Sequence, residues 1–130
     1  MVRYAIIIAM FEVTLEKDAD LLKVSYAGHV GAEEAKRCAE KIHLLVSQLQ
    51  QGFRMLTDLR ALDAMDLACV PYIENMMDWC DEAGIKTVVR VIPDSHKDIG
   101  LNIISLFHYR PGVRIVTCRT LEEAQAVLAR

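Results

Sequence analysis

Gly84-Ile85-Lys86-Thr87-Val88-Val89-Arg90-Val91-Ile92-Pro93 is the stretch on which the fold turns. Between a glycine and a proline lies a run dominated by β-branched residues, which fit a pleated strand better than a helix. Apolar residues fall on both of its faces, so the strand over 85–92 is expected at the centre of a sheet covered on both sides. Outward from it, the pattern switches period. Upstream, Cys69, Val70, Ile73, Met76, Met77 and Cys80 recur at helical spacing over 66–83, and Gly84 is a suitable stop. Pro71 lies about one turn inside, so the first residues of that helix are expected to be irregular. Downstream, Pro93 ends the strand, a helix is predicted over 97–109, Pro111-Gly112 turns the chain, and 113–118 reads as the last strand. Thr120 with Glu123 has the spacing of a capping box before a final helix whose buried side is Leu121, Ala124, Val127 and Leu128.

The first half is equally periodic. Phe11, Val13 and Leu15 alternate with Glu12, Thr14 and Glu16, and Leu22, Val24 and Tyr26 share one face of a second strand over 21–27. With Asp18-Ala19-Asp20 between them they form a hairpin that Gly28 is expected to end. The clearest helix covers 31–50, with Ala35, Cys38, Ile42, Leu45, Val46 and Leu49 inward and Glu33, Glu34, Lys36, Arg37, Glu40 and Lys41 outward. Gly52 breaks it before a short strand over 53–59. The predicted order is β-β-α-β-α-β-α-β-α, an α/β domain with a mixed, mostly parallel sheet of 4–6 strands and about four helices packed on it.

Composition narrows the function classes. The chain has 130 residues, 53% of them hydrophobic, enough for one core without metal or disulfide support. A net charge of −3 disfavours nucleic acid as a partner. The four cysteines, Cys38, Cys69, Cys80 and Cys118, are scattered over apolar positions, which reads as buried free thiols in a reducing, cytoplasmic setting. Residues 1–9, with Arg3 before a short apolar run, lack a clear cleavage signal and are too short to span a bilayer. They are expected to be an N-terminal extension or an extra edge strand, with a single domain over 10–130. No transmembrane segment is expected, and no P-loop, dinucleotide glycine pattern or zinc spacing occurs. No cofactor and no metal are therefore expected.

Several local patterns, in this order, resemble the STAS family, the sulfate-transporter and anti-sigma-factor-antagonist modules that include the SpoIIAA-like proteins. They are the 11–27 hairpin, Gly28 followed by Ala32-Glu33-Glu34-Ala35, Thr57-Asp58-Leu59 at the third strand, Met65-Asp66 before the second helix, Pro111-Gly112-Val113-Arg114-Ile115, and Thr120-Leu121-Glu122-Glu123-Ala124. The resemblance implies a STAS fold and a regulatory, protein-binding role. In the antagonists it implies a serine, phosphorylated by a partner kinase, directly after the aspartate that opens the second helix. Here that position is Leu67, so the resemblance extends to the fold and not to the phospho-switch. The likeness of this group to the lipid-binding CRAL-TRIO architecture raises an alternative: a carrier or sensor for a small lipophilic molecule.

Candidate sites follow from topology. Ligands of open parallel sheets bind at the carboxyl ends of strands. Asp58, Asp63 and Asp66 with Leu67, and Asp94, Ser95, His96 and Asp98 after the fourth strand, are expected at that end as a partner-binding surface. Ser95, His96 and Asp98 do not read as a catalytic set, because neighbours on one loop do not converge as nucleophile, base and orienter, and no G-x-S-x-G turn surrounds Ser95. The third helix is apolar on two sides: Ile99, Ile103, Leu106 and Phe107 on one, Leu101, Ile104 and His108 on another. With Tyr72 and Met76 of the second helix, Leu101, Ile104, Phe107 and His108 are read as an apolar ligand or dimer surface. His29 is read as a loop residue and His43 as a solvent-side one. The expectation is a non-enzymatic interaction module with a protein partner and possible self-association, the lipophilic carrier being the alternative.

Overall fold

The computed structural model describes residues 10–94 and 100–129, and of residues 102 and 103 the backbone only. The elements are β1 (Phe11–Glu16), β2 (Leu21–Val30), α1 (Ala32–Val46), β3 (Arg54–Met65), α2 (Val70–Glu82), β4 (Thr87–Val91), α3 (Leu101–His108), β5 (Arg114–Cys118) and α4 (Leu121–Leu128). The sheet order is the chain order, β1-β2-β3-β4-β5, with β1 antiparallel to β2 and every later pair parallel. This is the mixed, mostly parallel sheet with four helices that the sequence implies.

Successive parallel strands laid in one direction, each joined by a right-handed crossover, place their helices on one face. Accordingly α1, α2 and α3 bury a large core against Leu22, Val24, Tyr26, Met55, Leu59 and Val88, while α4 covers a smaller cluster of Leu21, Leu56, Val89, Val91 and Cys118 on the opposite face. The alternation read in β1 and β2 is what divides the two: Val13 faces the large core, and Glu12, Thr14 and Glu16 line the other side. The four cysteines are buried and free.

Several boundaries differ from the sequence reading; α3 starts at Leu101, after Gly100 in left-handed backbone at φ 79°. β2 does not stop at Gly28. That residue takes φ 66°, a left-handed conformation open to glycine, and the ladder shifts register there and continues to Val30. β3 follows the extended partner to Met65 instead of ending at Leu59, so Asp58-Leu59 lies mid-strand. α1 ends at Val46, and the chain over 47–49 forms turns instead of a last helical coil. The irregular start of α2 is present as a 3-10 turn, Leu67–Cys69, ahead of Pro71. Thr120 caps α4 by accepting from the Glu123 N–H at 3.1 Å, and Glu123 reaches back to the Arg119 N–H at 3.3 Å.

Candidate functional site

β2 and β3 are parallel and end together at Val30 and Met65, so the residues that follow share one rim. The Asp66 N–H donates to the Val30 carbonyl at 3.0 Å, an ordinary backbone hydrogen bond that ties the start of α2 to the end of β2. Asp66 occupies the N-cap position of the 3-10 turn, but its side chain makes no capping bond. Its Oδ1 lies 2.5 Å from His29 Nε2 instead. The hydrogen bond and charge of Asp66 raise the His29 pKa above its ordinary value, and Glu34 adds to this. Both carboxylates crowd Gly31, where an added Cβ would stand 3.1 Å from Glu34 Oε2 and 3.6 Å from Asp66 Oδ2. Beside this polar group Leu67 projects at 88% exposure. Leu67 follows Asp66 directly, so an exposed apolar side chain comes next in the chain to the His29–Asp66 pair.

The three aspartates do not converge. Asp58 sits within β3 and is held by Arg60, whose Nη2 donates to Oδ2 at 2.8 Å and whose backbone N–H donates to Oδ1 at 3.0 Å. Burial alone would raise the Asp58 carboxyl, and Arg60 outweighs it and lowers the pKa. Asp63 is an exposed residue later in the same strand, and only Asp66 belongs to the rim. Among the described residues no cluster of His, Cys, Asp and Glu is suited to a metal ion. Asp94 is exposed after β4, at the same end of the sheet, while Ser95, His96 and Asp98 lie outside the described residues. The open face of β1–β3 beside α4 forms a groove of about 480 Å³, and several of its charged side chains are engaged: Lys23 with Glu16 at 2.5 Å, Asp58 with Arg60, and Arg54 with the Leu128 and Ala19 carbonyls.

The expected apolar surface on α2 and α3 divides between inside and outside. Leu101 and Met76 are buried in the large core, and Tyr72 and Ile104 pack against it partly buried. Phe107 is 81% exposed and its neighbour Leu106 78%, so these two form the outward side. The side chain of Ile103, and Ile99, lie outside the description. His108 belongs to neither apolar set. It is a polar tie to α2, with Nδ1 2.7 Å from Asp78 Oδ1 and Nε2 2.7 Å from Glu74 Oε2. Helical spacing puts Glu74 and Asp78 on one face of α2, a signal the sequence carried without saying which residue they meet. The void bounded by Tyr26, Met55, Ile73, Met76, Arg90 and Leu101 measures about 10 Å³, room for about one water. Arg90, 2% exposed, donates to Ser105 Oγ at 2.6 Å. His29 is a strand residue and not a loop one, and solvent-side His43 stacks on Trp79 at a centroid distance of 4.0 Å.

No family model and no curated protein matches the sequence. Solved structures do match. An uncharacterized protein of the DUF3478 family with a SpoIIAA-like fold, from Shewanella loihica PV-4, superposes with a TM-score of 0.70 at 14% identity, over 97% of this chain and 99% of that one. The Bacillus cell fate determinant SpoIIAA in its phosphorylated form gives 0.62 at 14% identity, over 91% and 98%. A putative anti-sigma factor antagonist from Thermotoga maritima gives 0.62 at 16% identity, over 93% and 96%. At these identities the likeness establishes the fold: the chain adopts the STAS, SpoIIAA-like architecture.

Proposed function

We propose that the chain is a non-enzymatic binding module that docks a protein partner on the rim formed by the ends of β2 and β3 and the start of α2. The observation that carries this reading is Leu67, almost fully exposed and directly following Asp66, which pairs with His29 and shares the Gly31 corner with Glu34. An apolar knob inside a polar rim is the anatomy of an interaction hot spot. The carboxylates of Asp66 and Glu34 favour a partner with a small apolar pocket bordered by cationic groups. The likeness to an anti-sigma factor antagonist and to a putative one supports a regulatory role of this type. Leu67 has no hydroxyl to phosphorylate, so binding is constitutive or regulated by other means. Four buried free thiols favour a reducing, cytoplasmic setting. The lipophilic-carrier reading stands second, because the void between the sheet and the α2–α3 layer holds about 10 Å³ and a ligand pocket holds roughly 300–1,000 Å³.

The test is affinity capture with the wild-type chain, Leu67→Asp and Leu44→Asp, the last altering an exposed leucine of α1 away from the rim. Burying a leucine at an interface contributes about 1.5–3 kcal/mol, so Leu67→Asp is expected to weaken the partner roughly 10- to 100-fold while Leu44→Asp retains it. A partner that binds Leu67→Asp as tightly as wild type moves the docking surface elsewhere. Native mass spectrometry that finds a co-purified lipophilic mass instead promotes the carrier reading.

A further inference from the structure

We propose that α3 is latched to α2 by a single proton, with the His108 ring bridging Glu74 and Asp78 as a pH-responsive clamp on the last turn of the helix that displays Leu106 and Phe107. The geometry decides the protonation state. A neutral imidazole has one N–H and one lone pair, so it can donate to one carboxylate but must face the other with an acceptor. Both ring nitrogens lie 2.7 Å from a carboxylate oxygen, a pairing satisfied on both sides when each nitrogen carries a proton. Glu74 and Asp78 are four residues apart on one helix face, where like charges repel. The imidazolium offsets that repulsion, and its loss restores it.

The surroundings confine the effect to this junction. The groups of α2 that meet the ring are Glu74 and Asp78. Asp81, the next acidic residue of α2, is occupied by Arg110, through the backbone N–H at 2.9 Å and Nε at 3.1 Å. β4 meets α3 through Arg90 on Ser105, one turn before His108. Neither arginine titrates in an accessible range. Burial works against the proton on His108, whose side chain is 19% exposed, and the hydrogen bonds and charges of Asp78 and Glu74 outweigh it, so the pKa is raised. The sign follows: the clamp is closed below the ordinary histidine pKa and opens as pH rises through the folded value. The clamp is independent of the Leu67 rim, and either can fail without the other.

The experiment is two-bond proton–nitrogen correlation of the His108 ring across about pH 5.5 to 9, combined with amide hydrogen exchange of α3 corrected for the intrinsic pH dependence. Wild type is expected to show both ring nitrogens protonated at neutral pH, with the proton lost at higher pH than in Glu74→Gln/Asp78→Asn. Exchange of the last turn of α3 should rise about three- to tenfold through that titration, the half-exposed carboxylates limiting the effect. His108→Gln should show no such rise. A neutral, single-tautomer ring at pH 7, or a wild-type exchange profile in His108→Gln, overturns the proposal. If His108→Gln does not fold, a wild-type profile in Glu74→Gln/Asp78→Asn overturns it equally.

Discussion

Replacing Tyr109 by phenylalanine should stabilise the protein, against the usual direction of core substitutions. Tyr109 follows α3 and is buried, and its hydroxyl finds no hydrogen-bond partner among the described residues. In the unfolded chain that hydroxyl is hydrated, so folding strips its water without replacement, at a cost of about 1–3 kcal/mol. Tyr109→Phe keeps the ring and removes the oxygen. The vacated volume, on the order of 10 Å³, costs about 0.2 kcal/mol at about 24 cal/mol per Å³. The net gain is about 1 kcal/mol or more, and the melting temperature should rise by about 3–5 °C for a domain of this size. Burial pushes the phenol well above its ordinary pKa, so the hydroxyl stays neutral and the gain is constant from about pH 6 to 9. Tyr26→Phe is the control of opposite sign, because the Tyr26 hydroxyl accepts from the Cys38 thiol at 3.5 Å and its removal should cost up to about 1 kcal/mol. The assay is urea unfolding of wild type and both variants, with m-values compared to confirm a common unfolding reaction. A loss of more than about 0.5 kcal/mol in Tyr109→Phe would refute the reasoning, by showing that the hydroxyl is hydrogen-bonded in the folded protein.

Other outcomes follow from the same structure. Asp58→Asn should lose under about 1 kcal/mol at pH 7; because Arg60 depresses the native carboxyl, that difference is present above about pH 4 and fades as pH falls through the folded pKa, as acid-range denaturation curves would show. Gly52→Ala and Gly84→Ala both force alanine into left-handed backbone, at φ 93° and 91°, costing about 1–2 kcal/mol each. Gly84→Ala should be the worse by about 1 kcal/mol, since its Cβ would stand 2.5 Å from Gln51 Cγ while that of Gly52 meets open space; equal melting temperatures would dismiss the steric part. The four thiols should resist a disulfide reagent in the native protein and react in denaturant, because all are buried and burial pushes Cys38 up to about 11 and Cys80 up to about 12.

The elements were legible where periodicity was strong. The β-branched run of β4, the amphipathic stripe of α1 and the Thr120–Glu123 cap each announce themselves locally, and each is found in place. The extended ends of β2 and β3 were not legible, because Gly28 reads as a stop in isolation and becomes a bulge when a partner strand runs alongside. The same limit applies to the rim. Asp66 and Leu67 could be placed at the start of α2, but His29 is joined to Asp66 across 37 residues of chain, a separation that spacing does not register. His108 shows the converse: helical spacing grouped it with Leu101 and Ile104 as an apolar ligand or dimer surface, whereas Leu101 is buried, Ile104 packs against the core, and the carboxylates of α2 make His108 a polar contact.

The strand order has a consequence for how the protein comes off the ribosome. Each strand pairs with the one made immediately before it, so a nascent chain extends its sheet one edge at a time and never holds a gap open for a later insertion. The larger core closes as α1, α2 and α3 are added in turn. Among the described elements α4 is the last to emerge and the one that shields Leu21, Leu56, Val89 and Val91. A chain arrested before Leu121 therefore carries its five strands with one apolar face in the open, and even at that late stage of synthesis, with the fold almost finished, the molecule is exposed to aggregation and to chaperone capture.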